Sequence, residues 1–297
     1  MTSITRPGTL ASFDHFVDAG GLKIHYLDVA GGDPPLVLLH GLSANAHSFG
    51  GLIAAGLAPT FRVVAPDLRG RGQSEKPATG YAMADHARDV VALLDALGFD
   101  RVVLGGHSFG AFLSTFVASK YPERVAKLIA IDAAITLNPK VGEMLKPSLD
   151  RLTQTLPSVE SYLAAVRGAA YMDGMWDDAI EGYYRAELQV NPDGTARSMT
   201  SASAIAQAMQ GLGGVPWKEV VASVKQPAIL INSIGAYGPP GSLPLVEEAN
   251  AREMANTFPN CRYVQVPGNH MTMMFGPGAA AIRDEIVKFV RGADGGR

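Results

Sequence analysis

The chain has 297 residues, 47% of them hydrophobic and 18% charged, with a formal net charge of −3. That length buries a large core without staples, that composition excludes a disordered chain, and the scattered Lys and Arg residues give no basic stripe for a nucleic-acid partner. The single cysteine, Cys261, excludes an internal disulfide framework and reads as a small buried strand residue.

The first third predicts strands in quick succession. His15 to Val17 and Lys23 to Asp28 flank the turn Ala19-Gly20-Gly21, a hairpin pattern. Leu36 to Leu39 and Arg62 to Ala65 are continuous apolar runs, the pattern of strands buried on both faces. Ala87, Val90, Val91, Leu94 and Leu97 then share one helical face, and Gly98 stands where a C-terminal cap belongs. Arg101 to Leu104 predicts a strand. Phe109, Phe112, Leu113, Phe116 and Val117 predict a helix that Pro122 closes, and Val125 to Ile131 predicts the next strand. From Ile135 to Gly214 strand signals fade and helical segments with aromatics take over. Strands resume at Ala228 to Ile231 and Arg262 to Val266, and Ile282, Ile286, Phe289 and Val290 predict a last helix. Alternating buried strands and amphipathic helices imply an α/β fold: a mostly parallel sheet of about eight strands flanked by helices. The expected division is a core of residues 1–134 and 215–297 with a helical cap inserted at 135–214, over the sheet's carboxyl edge where ligands bind in such folds.

No apolar stretch reaches the ~18 residues of a membrane span, and Met1 to Gly8 lacks the apolar run of a signal peptide. The expectation is a cytoplasmic protein with no membrane partner. No cofactor or metal is expected either: there is no His/Cys/Asp/Glu cluster at ligand spacing, and Gly31-Gly32 and Gly105-Gly106 do not form a phosphate loop in context.

The chemistry concentrates at Gly106-His107-Ser108-Phe109-Gly110, a Gly-x-Ser-x-Gly between a predicted strand and a predicted helix. A sharp turn there lifts the serine hydroxyl clear of the sheet, and the glycines let the backbone pass closely. A hydroxyl needs a base at neutral pH. Of seven histidines, His270 in Pro267-Gly268-Asn269-His270, after the last strand, is the one placed to return to Ser108. His107, beside the serine, is expected to point elsewhere.

These segments together resemble the α/β-hydrolase superfamily over nearly everything except the cap. His40-Gly41-Leu42 is similar to the family's oxyanion-hole loop, and Asp67 to Ser74 to its structural turn after the fourth strand. Ser108 matches the nucleophile elbow, and Gly268-Asn269-His270 the histidine loop. The resemblance implies an oxyanion hole from the amides of Leu42 and Phe109. It fails at the usual acid position, where Asn232 to Gly238 holds no carboxylate. Some members place the acid after the preceding core strand, where Asp132 stands, although an aspartate there also occurs as a structural residue; Glu247 and Glu248, within a predicted helix, or no acid at all are the alternatives. His40, Trp176, Tyr184 and Met271 are the candidate substrate-binding residues, with other cap aromatics (Tyr162, Tyr171, Tyr183) and Met273 and Met274 suggesting an apolar pocket.

The implied activity is hydrolysis of a small-molecule carboxylic ester or lactone, with an apolar acyl or aryl part, through an acyl-serine. The same constellation serves amide and carbon–carbon bond hydrolases, and non-catalytic ligand receptors on this fold can retain it. Dehalogenases and epoxide hydrolases place Asp where Ser108 stands.

Overall fold

The computed structural model describes residues 13–239 and 241–292. Its main sheet contains β1 (Asp14–Asp18), β2 (Lys23–Val29), β3 (Leu36–Leu39), β4 (Val63–Pro66), β5 (Val102–His107), β6 (Val125–Ile131), β10 (Ala228–Asn232) and β11 (Cys261–Gln265). The eight strands run in the order β1-β2-β4-β3-β5-β6-β10-β11. β1 and β2 form the predicted antiparallel hairpin and β2 pairs antiparallel with β4; from β4 to β11 every pairing is parallel.

The apolar runs become central strands because both faces need cover. Alternate residues feed two separate cores. Val37, Leu39, Leu104 and Leu128 pack on one face with Phe112 and Val117 of the helix Phe109–Lys120 and Val90 and Leu94 of the helix Met83–Ala96. Leu36, Leu38, Val103 and Ile129 pack on the other with Ile282, Ile286 and Phe289 of the helix Gly276–Arg291. Gly98 adopts φ +70°, as a helix-terminating residue must. Cys261 is half-buried in β11, and burial pushes its thiol up to about 12.

Between β6 and β10 the chain leaves the sheet. This insertion is not purely helical, as its sequence pattern suggested. It contains a three-stranded antiparallel sheet of β7 (Thr155–Leu156), β8 (Leu188–Val190) and β9 (Ala196–Ser198) in the order β7-β9-β8. Its helix Ala202–Gly213 lies against the core, where Gln207 donates to the Ala78 carbonyl.

A buried charge cluster ties the hairpin to the turn at 67–74. His25 is fully buried; its Nδ1 bonds Asp67 Oδ2 at 2.7 Å and its Nε2 bonds Asp14 Oδ1 at 3.0 Å. Asp67 also accepts the amides of Ala46 and Gln73, both at 2.8 Å. Burial alone would depress the imidazole, but the hydrogen bonds to Asp14 and Asp67 outweigh it and hold His25 at about 9. A folded-state value above the unfolded one means that the cluster stabilises fully below pH ~6.5 and loses that contribution as pH rises through about 9. The melting temperature is therefore expected to fall across that window. His25→Gln should lower it at neutral pH and flatten the alkaline slope, measurable by thermal unfolding from pH 6 to 10; an unchanged slope would refute the assignment.

Candidate active site

Loops at the carboxyl ends of the parallel strands carry the candidate residues. His40-Gly41-Leu42 follows β3, Ser108 follows β5, Asp132 follows β6 and His270 lies in the loop after β11. The Ser108 turn is tight: the residue adopts φ 55°, ψ −116°, outside the regions L-residues ordinarily occupy. Crowding dictates the flanking glycines. A Cβ on Gly110 would lie 1.8 Å from the Leu39 carbonyl oxygen, and one on Gly106 would lie 2.2 Å from the Gly110 carbonyl.

Asp132 also has a positive φ, 51°, and is 1% exposed. Its Oδ2 lies 2.6 Å from His270 Nδ1. Its Oδ1 accepts Asn232 Nδ2 at 2.8 Å and the Ser233 amide at 3.0 Å. The strand end that lacks the usual carboxylate thus supplies two donors to Asp132. Tyr263 in turn donates its hydroxyl to Asn232 Oδ1 at 2.9 Å. Glu247 and Glu248 lie elsewhere: Glu247 accepts Asn138, and Glu248 pairs with Arg252 at the start of the helix Glu248–Thr257.

The His270 loop is fixed by Asn269. Its amide nitrogen donates to the Tyr171 and Ala236 carbonyls at 2.7 and 3.1 Å, and its oxygen accepts the Met271 and Thr272 amides. The loop is thereby anchored to the insertion through Tyr171. Tyr237 meets the His270 ring edge-on at 5.8 Å between centroids.

Ser108, His270 and Leu42 line two adjoining cavities of about 80 and 70 Å³. Tyr184 and Met271 line the first, and Phe109 the second. The Phe109 amide opens its helix and so has no intrahelical acceptor, and no acceptor takes the Leu42 amide among the described residues. The Leu42 carbonyl is held by buried Arg71, whose Nε donates to it at 3.0 Å and whose guanidinium lies 5.3 Å from the Phe109 ring.

Three sequence expectations need correction. His40 does not reach the cavities: it is fully buried, with Nδ1 donating to the Gly41 carbonyl and Nε2 accepting the Leu68 amide. Burial depresses it to about 4, so it holds the loop as a neutral ring. Trp176 is one layer out, stacked on Tyr184 at 6.2 Å with Arg167 over its ring, and lines neither cavity. His107 does not point away: its ring lies 4.5 Å from that of His270 and lines the first cavity. Burial, with His270 beside it, drives it well below the ordinary histidine range. Sequence reading also missed Arg151 and Tyr237 in the first cavity; neither belongs to a motif.

The two layers around Tyr184 can be separated experimentally. Tyr184→Leu is expected to shift relative rates across a series of acyl-chain lengths by about tenfold, the worth of a methylene or two of pocket shape. Trp176→Phe should shift them by less than about twofold, since a residue that does not touch the substrate changes discrimination little. Equal shifts for both variants in kcat/KM profiles would contradict this layering.

Among the described residues no group of three or more His, Cys, Asp or Glu could hold a metal ion, and no helix is long and apolar enough to cross a membrane. Residues 34–277 match the family model described as alpha/beta hydrolase fold. The chain is 31% identical over 265 residues to a 2-(acetamidomethylene)succinate hydrolase from Mesorhizobium japonicum, covering 86% of this chain and 88% of that one. A crystal structure of E-2-(acetamidomethylene)succinate hydrolase superposes with a TM-score of 0.80 at 25% identity over 94% of this chain and 98% of that one. The enol-lactonase from Burkholderia xenovorans LB400 shares the fold, with a TM-score of 0.70 at 22% identity over 93% of this chain and 100% of that one.

Proposed function

Because this chain belongs to the α/β-hydrolase family, we propose that it is a serine hydrolase cleaving a small-molecule carboxylic ester or lactone through an acyl-serine. The observation that carries this reading is the 2.6 Å contact of His270 Nδ1 with Asp132 Oδ2 in a site where Ser108 and His270 line the same two cavities.

In this mechanism Asp132 accepts a hydrogen bond from the Nδ1–H of His270, which keeps the proton there and leaves Nε2 as the basic nitrogen. His270 Nε2 takes the Ser108 proton as Oγ attacks the carbonyl carbon, and the Leu42 and Phe109 amides receive the oxyanion. The imidazolium then protonates the leaving oxygen as the carbon–oxygen bond breaks. Water, deprotonated by the same ring, attacks the acyl-serine, and Ser108 recovers its proton when the acid departs. Hydrolysis of an amide by the same steps is the second reading. Its support is the 31% identical relative, whose name gives an acetamido compound as the substrate it hydrolyses.

A panel of p-nitrophenyl esters, lactones and p-nitroanilides tests both. Ester or lactone turnover with slow anilide turnover is the expected result, and the reverse ranking would favour the amide reading. No time-dependent product from any substrate, with no labelling of Ser108 by a fluorophosphonate, would leave a ligand-binding protein instead.

A further inference from the structure

The cavity beside Ser108 contains a charge that the hydrolytic steps do not use. Arg151 lines it, and no aspartate or glutamate does. Arg151 stands where the helix Val141–Asp150 of the insertion gives way to a single tight turn. Its side chain is 15% exposed, and its Nη1 donates to Glu187 Oε1 at 3.0 Å. Glu187 is buried behind it; the same Oε1 accepts the Tyr162 hydroxyl, and Oε2 has no partner among the described residues. Burial works against the charge on Arg151, but Glu187 more than offsets it and the guanidinium stays protonated.

A guanidinium offers five N–H donors in a planar fork that matches a carboxylate. Glu187 takes one of them, and the others have no acceptor among the described residues. Around the same cavity stand Tyr171, Tyr183, Tyr184 and Tyr237, whose hydroxyls burial keeps protonated; that of Tyr184 donates to Met172 Sδ at 3.9 Å and lies 3.4 Å from that of Tyr171. Leu145, Leu149, Met274 and Phe275 complete the lining, and the guanidinium gives an entering anion a partner that offsets its desolvation. The second chamber differs. Phe112, Leu137, Val141 and Leu245 line it, and its one carboxylate, Asp132, is already taken by His270 and Asn232. Ser148, Arg151 and Tyr171 also line an outer groove of about 420 Å³, so Arg151 stands between that groove and the first chamber.

We propose that the substrate carries a carboxylate which Arg151 receives in the first chamber, while its apolar part enters the chamber of Phe112 and Leu137. This rests on the serine-hydrolase reading and adds the substrate class: an acidic ester or amide with one charged and one apolar arm. Arg151 is then the residue that sets specificity, and Glu187 and Tyr162 hold its fork in place.

The test compares kcat/KM for p-nitrophenyl hydrogen succinate, which is anionic, with p-nitrophenyl butyrate, which is neutral and of similar length. Wild type is expected to favour the anion by at least about tenfold, the discrimination a buried polar partner gives. In Arg151→Met that ratio should fall by at least about tenfold, with the loss in KM for the anionic ester. Arg151→Met leaves Glu187 buried without its cation, so the double variant Arg151→Met/Glu187→Gln provides a folded check with both charges removed; it should lose the same preference. A wild-type ratio near one, or a ratio that survives in the double variant, overturns the inference while leaving the hydrolase reading intact. Hydrolysis of neither ester nor of the matching anilides removes the hydrolase reading and this inference with it.

Discussion

Ser108→Ala is expected to lower turnover by a factor on the order of 10⁴ to 10⁶ while leaving the protein folded. The substitution removes the attacking oxygen and little else. The amide of residue 108 still donates to the Ile131 carbonyl at 2.8 Å, and the carbonyl still accepts the Ala111 and Phe112 amides. The strained φ of 55° is no worse for alanine than for serine. Circular dichroism and melting temperature should therefore match wild type, and fluorophosphonate labelling should vanish with activity. More than about a tenth of wild-type activity in the folded variant would exclude Ser108 as nucleophile, because loss of a triad nucleophile costs several orders of magnitude.

Asp132→Asn is expected to lower kcat by on the order of 10² to 10⁴ with a smaller change in KM. Two donors, Asn232 Nδ2 and the Ser233 amide, converge on Oδ1. In the variant they select the carbonyl oxygen for that side, which turns the new amide nitrogen toward His270. That nitrogen donates, so His270 Nδ1 must accept, and the ring's proton moves to Nε2. A ring protonated there cannot take the Ser108 proton. The hydrogen-bond network survives, so stability should change much less than rate. Glu247→Gln and Glu248→Gln serve as controls and should each stay within about twofold, as surface substitutions away from the site do. Inactivation by Glu247→Gln with an active Asp132→Asn would overturn the assignment.

The main sheet was legible because strands such as Leu36–Leu39 and Val102–His107 are buried on both faces and leave continuous apolar runs. The small sheet of the insertion was not, because Thr155–Leu156 and its partners are two or three residues long and show no period. Ser108 and His270 stood out because each sits in a turn whose glycines the backbone demands. The direction of a ring is another matter. His40 follows one core strand and His107 ends another, yet one turns into the protein and the other lines the cavity; sequence places the Cα and tertiary packing chooses the rotamer. Arg151 left no trace at all. Its environment is made by Glu187, 36 residues along the chain, and no local pattern encodes a partner at that distance.

The packing of the elbow bears on how such a protein could lose its trade. Gly110 abuts the Leu39 carbonyl and Gly106 abuts Gly110, so both glycines serve the crossing of β3, β5 and the following helix whatever residue stands between them. A lineage released from selection for hydrolysis would be free to drift at position 108 but not at 106 or 110, where any side chain strikes backbone. Decay would therefore erase the serine and spare its frame. Glycines surviving at this spacing testify to ancestry of the architecture, and the residue they enclose alone testifies to whether the chemistry was inherited.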